Sequence, residues 1–334
     1  MITSAPNVIV VGAGVAGMTA AIYGARAGLN VLVLEKASCG GLANSSSNVE
    51  NFPSYQGIRG TELTERIRTQ VESLDVAIEE LTEVVDLDLA SPRKVVHTDA
   101  GRFAAPALIV ATGASPVRLP IQSDCDDRIH YCALCDGPPY AGREVVVVGG
   151  GNTGFDESLH LVNLGVESVV IVECMKVCAA DQVLQRRARA TGRIFVRTAS
   201  MVRAIVQDGS RVRVTIEDLA GAFSEDVPAD GVFVFIGQKP NTAILKGKVA
   251  LDHAGYIVAD ALMHTDCPGV FAAGDVVAKK YRQLTTAMAD GTVAALEAAR
   301  HVREPVEGGR GLPANGKESA GRSSAACTAD GRRP

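Results

Sequence analysis

No run of lysine or arginine interrupts this 334-residue chain, in which 33 basic residues face 38 acidic ones for a formal charge of −5. A surface that follows a phosphate backbone needs clustered positive charge, so nucleic acid is not expected as a partner. Cysteine is sparse: eight in the whole chain are too few for a small secreted disulfide framework. The opening MITSAPNVIVVGAG lacks a basic n-region, and its apolar run leads into glycines instead of a cleavage site, so export is not expected. Long apolar runs are also missing. Residues 8–25 carry no charge, but their glycines and short apolar blocks suit a buried strand, turn and helix better than a membrane span. These absences point to a cytoplasmic protein without a membrane partner. What remains is a globular composition, 47 % apolar and 21 % charged, with room at about 150 residues per domain for two domains and a surplus.

Residues 7–11, NVIVV, form an apolar run ending in glycine; small and apolar residues follow through Ala25, and a second run, VLVLE, fills 31–35. Such runs read as buried parallel strands, giving strand, turn, helix, strand. The pattern returns at 144–173, where EVVVV meets GGGNTG, a helix-compatible stretch to Leu164 and then SVVIVE. ALIVATGAS at 107–115 and DGVFVFIGQKPNT at 230–242 are expected to close the two parallel sheets, and GVFAAGD at 269–275 to lead into an Ala-rich helix from about Thr285 to His301. The fold class is therefore α/β, with two Rossmann-like, doubly wound, three-layer nucleotide-binding domains. From Pro305 to Pro334, Gly, Pro, Ser and Ala make up more than half of the sequence. That leaves too little apolar surface for the segment to order itself, so 305–334 reads as a disordered tail in which Cys327 is incidental.

Gly12, Gly14 and Gly17 spell GAGVAG. The first glycine permits the tight turn, the second lets a pyrophosphate approach the backbone, and the third allows close packing of the helix. Glu35, at the end of the next strand, is placed for a ribose hydroxyl pair. Gly149, Gly151 and Gly154 repeat the pattern, with Asn152 and Thr153 inside it and Glu173 at the corresponding strand end. Two dinucleotides can be bound. An acid at Glu173 accepts from an unmodified 2′-hydroxyl and repels a 2′-phosphate, and Lys176 is the one nearby cation, which favours NADH over NADPH. The alternative is an ordinary exposed acid at a strand end.

Cys132 and Cys135 form a CxxC just upstream of the second fingerprint. A two-residue spacer at a helix start lowers one thiol pKa and makes a reactive, reducible pair. Cys174 and Cys178 would complete a zinc site, but a CxxxC on a nucleotide-binding turn is poor ligand spacing, and no metal is expected.

CALCDG, with GGGNTG a short way downstream, resembles the low-molecular-weight thioredoxin reductase family. VENFPSYQGIRGTEL at 49–63, ATG at 111–113, FIGQKPNT at 235–242, GVFAAGD and YRQLTTA extend the likeness from about residue 7 to residue 300. The resemblance implies FAD on the first fingerprint, with Glu35 and Lys36 at the adenosine ribose and Asp275, after Gly274, at the ribityl chain. Arg282, Gln283 and Leu284 would lie near the flavin ring, and Gly41, Leu42, Asn51, Ala111, Thr112 and Gly113 would complete the shell. The helix after Gln283 would direct its positive end at the flavin edge. The implied layout is an FAD-binding domain from 1–116 and 246–304, with 117–245 inserted as a rotating pyridine-nucleotide-type domain that carries the cysteine pair, in a homodimer. Hydride would pass from nicotinamide to flavin, the reduced flavin would attack the disulfide through Cys135, and Cys132 would exchange with a thioredoxin-like protein. Asp136 would carry the proton, given apolar surroundings that raise its pKa; in isolation it reads equally as a turn or N-cap acid. His130 is a weaker proton-transfer candidate.

The family's NADPH enzymes usually carry His-Arg-Arg after the second strand and a further arginine beyond it. Here Glu173, Cys174, Met175 and Ala179 stand at those positions, and the guanidinium groups nearest in sequence are Arg186 and Arg187 along the next helix. NADH or NADPH thus remain as donors, beside a ferredoxin-type donor feeding the flavin directly. A reversed flow is the third reading, as in flavin dithiol oxidases that form disulfides in small metabolites and reduce oxygen. Those oxidases generally have His where Asp136 stands, so the reductase direction is preferred. Leu42 replaces a usual glutamine, Ser54 a glycine and Gly154 an alanine. Outside enzymes, a flavin-binding redox sensor would use the same pair as a readout.

Overall fold

A strand covered on both faces needs an apolar residue at every position, and the chain supplies such strands twice. The computed structural model describes residues 5–303 apart from 47, 122 and 222; the tail expected at 305–334, with Cys327, lies outside the described residues. The first sheet is parallel throughout and runs Val270–Ala272, Ala107–Val110, Val8–Val11, Val31–Leu34, Ala77–Glu79. Because side chains alternate along a strand, Val8, Val10, Val31, Val33 and Ile109 go to one face, where they meet the helices Val15–Arg26, Gly60–Glu72 and Leu284–Arg303. Ile9, Val11, Leu32 and Leu34 go to the other, against Leu87 and Val96 of an antiparallel sheet formed by Val84–Asp88, Lys94–Thr98 and Gly101–Ala105.

The second sheet repeats this three-layer plan in the order Ile194–Arg197, Ser168–Val172, Glu144–Val148, Gly231–Val234, Ile129–His130. Val145, Val147, Ile171 and Phe233 share a core with Phe155 and Leu161 of the helix Asn152–Asn163 and Ala188 of the helix Gln182–Ala190. Val146, Val148, Val232 and Val234 pack on Val202, Val212, Val214 and Ile216 of a second antiparallel sheet.

Two expectations change. Neither Ala107–Val110 nor Gly231–Val234 closes its sheet: Val270–Ala272 pairs outside the former and Ile129–His130 outside the latter, covering hydrogen-bonding edges that would otherwise stay open. Between the sheets, Ala114–Pro116 pairs antiparallel with Gln238–Pro240. Asn241 ties this crossing together: its Nδ2 donates to the Thr112 carbonyl, its Oδ1 accepts from Ser115 Oγ, and its carbonyl accepts from Thr112 Oγ1, each at 2.8 Å. Among the described residues, no helix is long and apolar enough to cross a membrane.

Candidate functional site

The first glycine turn allows no side chain at its first and third glycines. Gly12 has φ +103°, and a Cβ there would run into the Ala111 carbonyl, as one on Gly17 would into the Gly12 carbonyl. Glu35 clamps the turn from the end of the next strand, its Oε2 accepting from the Ala13 amide at 2.7 Å and its Oε1 from the Ala37 amide at 2.9 Å. A second turn lies against the first: Gly40 donates to the Ala13 carbonyl at 2.8 Å, and a Cβ on Gly41 would stand 3.2 Å from Gly14 Cα. Gly12, Glu35, Lys36 and Thr112 line a cavity of about 950 Å³ with Asn241 and His253. On either side of Thr112, the Ala111 amide donates to the Val11 carbonyl and the Gly113 carbonyl accepts from the Asn241 amide, while Leu42 follows the second turn and is exposed.

The other expected flavin residues converge elsewhere. Asn51 Nδ2 donates to Gln283 Oε1 at 3.1 Å across 232 residues, just before the helix that Leu284 opens. Arg282 lies over the Tyr256 ring at 3.8 Å and donates to the Asp275 and Val277 carbonyls, both at 3.4 Å. The Gly274 amide and Lys279 Nζ share Asp290 Oδ2, at 3.1 and 2.6 Å. Asp275 Oδ1 is buried and makes no hydrogen bond among the described residues, its ion-pair partner Lys279 Nζ standing off at 3.7 Å; burial pushes its carboxyl above the usual range, against the pull of Lys279 and Arg282. A buried acceptor of this kind calls for a donor. A glycine cradle for a pyrophosphate, an acid at the strand end and a buried acceptor without a hydrogen bond, suited to a polyol hydroxyl, together fit FAD.

The glycine turn at 149–154 copies the one at 12–17. Gly149 has φ +113°, a Cβ there would meet the Phe235 carbonyl, and one on Gly154 the Gly149 carbonyl. Glu173 takes the part of Glu35: Oε2 accepts from the Gly150 amide at 2.6 Å and Oε1 from the Met175 amide at 2.8 Å. At 8 % exposure it is not the exposed strand-end acid of the alternative reading. Asn152 and Asp181 exchange two bonds, at 3.1 and 2.7 Å, that fix the start of the next helix, whereas Thr153 and Lys176 are exposed. Cys174 and Cys178 are free thiols whose pKa values burial raises. Arg187 reaches Glu50 Oε2 at 2.7 Å in the segment expected to face the flavin.

Cys132 and Cys135 are joined in a disulfide with Cα atoms 5.4 Å apart. The N-cap of the short helix Ala133–Asp136 is Cys132, whose Sγ accepts from the Cys135 amide at 3.1 Å. Asp136 is therefore the last residue of that helix and does not cap it. Its Oδ2 lies 3.6 Å from His130 Nδ1, and His130 Nε2 is 2.6 Å from the Tyr140 hydroxyl. Burial holds the His130 imidazole below its usual pKa, opposed by the charge of Asp136. Sequence reasoning gives His130 a minor place and misses Tyr140 and Glu157. The signal for Glu157 is available, since it falls in step with the buried positions Gly154, Ser158 and Leu161 of its helix.

Residues 6–291 match the model of the pyridine nucleotide-disulphide oxidoreductase family. The chain is 38 % identical over 299 residues to the 34.2 kDa protein in the rubredoxin operon of Clostridium pasteurianum, covering 89 % of this chain and 97 % of the relative. It is 36 % identical over 304 residues to the thioredoxin reductase of Listeria innocua, covering 89 % and 94 %. The crystal structure of Lactococcus lactis thioredoxin reductase in its FR conformation superposes with a TM-score of 0.85 at 32 % identity, covering 89 % of this chain and 99 % of that one. With the paired glycine turns and the CxxC disulfide, these likenesses show that the chain belongs to the pyridine nucleotide-disulphide oxidoreductase family, as an FAD-dependent disulfide oxidoreductase of the thioredoxin reductase type with a pyridine nucleotide as donor.

Proposed function

We propose that the chain uses NADH to reduce the disulfide of a thioredoxin-like protein. FAD, when bound, supplies the two-electron relay between the nicotinamide and the Cys132–Cys135 disulfide. Gly12, Gly14 and Gly17 hold its pyrophosphate, Glu35 its ribose and Asp275 its ribityl chain, with Asn51, Arg282 and Gln283 toward the ring. The second turn, Gly149, Gly151 and Gly154, takes the nicotinamide dinucleotide. Residues 1–116 and 246–304 then act as one domain and 117–245 as the other, turning on the Thr112–Asn241 crossing, in a homodimer within a reducing cytoplasm.

One observation carries the donor: a buried carboxylate, Glu173, holds the Gly150 and Met175 amides at the place where a 2′-phosphate needs cations. Three of its roughly four acceptor sites are taken, by these two amides and by Cys174 Sγ at 3.4 Å, leaving one for a ribose hydroxyl. Arg187 meanwhile bonds Glu50. In the reduced pair, the Cys135 amide favours a thiolate on Cys132. That thiolate attacks the partner disulfide, forming a mixed disulfide and releasing the first partner thiolate. Cys135 gives up its proton toward Asp136 Oδ2 and attacks Cys132 Sγ, which closes the Cys132–Cys135 disulfide and releases the second partner thiolate; protonation completes the partner dithiol.

Anaerobic titration with NADH, NADPH and reduced ferredoxin, followed by flavin bleaching, tests the donor. NADH is expected to bleach at the lowest concentration, and a preference for NADPH or bleaching by ferredoxin alone overturns the assignment. Cys135→Ser is expected to keep the yellow flavin and lose disulfide reduction; unchanged turnover contradicts the role of the pair.

A further inference from the structure

His130 stands beside the cysteine pair and has no place in the chemistry above. It ends the edge strand Ile129–His130, and its ring is held from two sides: Phe233 lies 5.0 Å away between ring centroids and Tyr140, edge-on, 5.3 Å away. Tyr140 is buried, and the strand Gly231–Val234 makes room for it, because a Cβ on Gly231 would stand 2.6 Å from the Tyr140 hydroxyl oxygen. That hydroxyl is 2.6 Å from His130 Nε2, a hydrogen bond between two confined groups. On the opposite edge of the ring, Nδ1 faces Asp136 Oδ2 at 3.6 Å, with the Asp136 side chain 41 % exposed. The other charges near the imidazole, Asp127 and Arg128 of the preceding turn, pair with each other at 3.6 Å.

We propose that His130, fixed by Tyr140, is a positioning residue for Asp136, whose carboxylate it holds toward the protein to receive the Cys135 proton. Burial keeps the imidazole below its usual pKa, so at neutral pH it carries one proton, and the bonds around the ring decide which nitrogen holds it. A carboxylate only accepts, which draws the proton to Nδ1; Nε2 is then an acceptor, and a tyrosine hydroxyl can donate to it. Both contacts therefore select the same tautomer, while Phe233 and Tyr140 prevent the ring from turning. Without an N–H directed at it, a carboxylate as exposed as Asp136 swings into water, and a base out of line with its proton loses rate.

This inference rests on the role given to Asp136 above, but its test needs neither donor nor partner protein. The reduced holoprotein is mixed with dithiodipyridine and quenched in acid at intervals, and the Cys132 peptide is followed by mass spectrometry. Cys132 thiolate attacks the reagent, gaining a thiopyridyl group and releasing one thiopyridone. Cys135 passes its proton toward Asp136 and attacks Cys132 Sγ, which closes the disulfide and releases the second. Adduct formation thus reads Cys132, and adduct decay reads Cys135. Asparagine puts an amide N–H where Nδ1 stands, whereas glutamine reaches only the place of Nε2. Decay is expected to slow about tenfold in His130→Gln, short of the hundredfold that a positioned base itself contributes, and less than about threefold in His130→Asn, with formation unchanged in both. Unchanged decay in His130→Gln, equal slowing in the two variants, or formation slowed as much as decay overturns the proposal. Should His130→Gln fail to fold, nitrogen NMR of the wild type decides: the imidazole proton is expected on Nδ1, and a proton on Nε2 overturns the proposal. Asp136→Asn separates the two readings. Unchanged decay there removes Asp136 from the chemistry and this inference with it, whereas slow decay there beside normal decay in His130→Gln strikes this inference alone.

Discussion

Replacing Glu173 by alanine strips the second glycine turn of its clamp, and the structure sets the size of the loss. Two amides, Gly150 at 2.6 Å and Met175 at 2.8 Å, lose a carboxylate acceptor. Hydrogen bonds to charged groups contribute about 1.5–3 kcal/mol each, and a buried donor left unmade costs more than one that reaches water. Gly150 is buried, so the lower bound for the pair is about 3 kcal/mol, roughly a hundredfold in local opening. An exposed strand-end acid would cost under about 0.5 kcal/mol. Hydrogen–deuterium exchange at the Gly150 and Met175 amides reads the opening directly, and the NADH half-saturation of flavin bleaching should rise at least about tenfold with the lost ribose contact. Exchange within about twofold of wild type at both amides would refute the clamp, whatever happens to NADH. Glu35→Ala is the internal control: it frees the Ala13 and Ala37 amides and should loosen FAD while leaving exchange at Gly150 unchanged. By the same reasoning Glu173→Arg does not create an NADPH enzyme, because the turn loses its acceptor before the new guanidinium can meet a phosphate.

Three further outcomes follow from single residues. Asn241→Ala removes two 2.8 Å side-chain bonds at the crossing and should cost about 1–3 kcal/mol, seen as a lower Tm with FAD retained; an unchanged Tm would show that the paired strands suffice. Lys94→Met leaves the Leu89 and Ser91 carbonyls without the buried ammonium that meets them at 2.9 and 3.0 Å, so thermal stability should fall by about 2 kcal/mol while the flavin bleaching rate stays at its wild-type value. Burial and Asp156 push the Glu157 carboxyl up to about 7 from an ordinary 4.5, so the native state binds its proton more tightly. Its contribution is fully present below pH 4.5 and is lost as pH rises to about 7, about 3 kcal/mol in all. The Tm of Glu157→Gln should therefore gain on wild type between those limits, and a constant difference would contradict the burial argument.

The glycines and strands were legible because their causes are local. A tight turn at Gly12 or Gly149 demands a positive φ whatever surrounds it, and an unbroken run such as EVVVV suits only a strand covered on both faces. Glu35 and Glu173 were legible in position and not in partner. Their spacing from the glycine turns places an acid at each strand end, but only the folded turn directs two amides toward it and buries Glu173. Ile129–His130 is too short to give a pattern, so the sheet edge it covers stayed hidden. Glu157 escaped because a charged residue reads as solvated until its helical phase is checked against Gly154, Ser158 and Leu161.

What composition and period could not reach are the contacts between segments far apart in the chain. Thr112 meets Asn241 across 129 residues, Glu50 meets Arg187 across 137, and Asn51 meets Gln283 across 232. None of these pairs belongs to a repeating pattern, since each joins the edge of one unit to a different unit or to a returning segment of chain, and a polar residue at such an edge looks in sequence like any other surface residue. Each repeat on its own makes a nucleotide cradle. Electron transfer needs the cradles and the Cys132–Cys135 disulfide held in register with one another, so beside the legible CxxC a reductase depends on residues with no local signature, and Asn241→Ala should lower turnover while FAD stays bound.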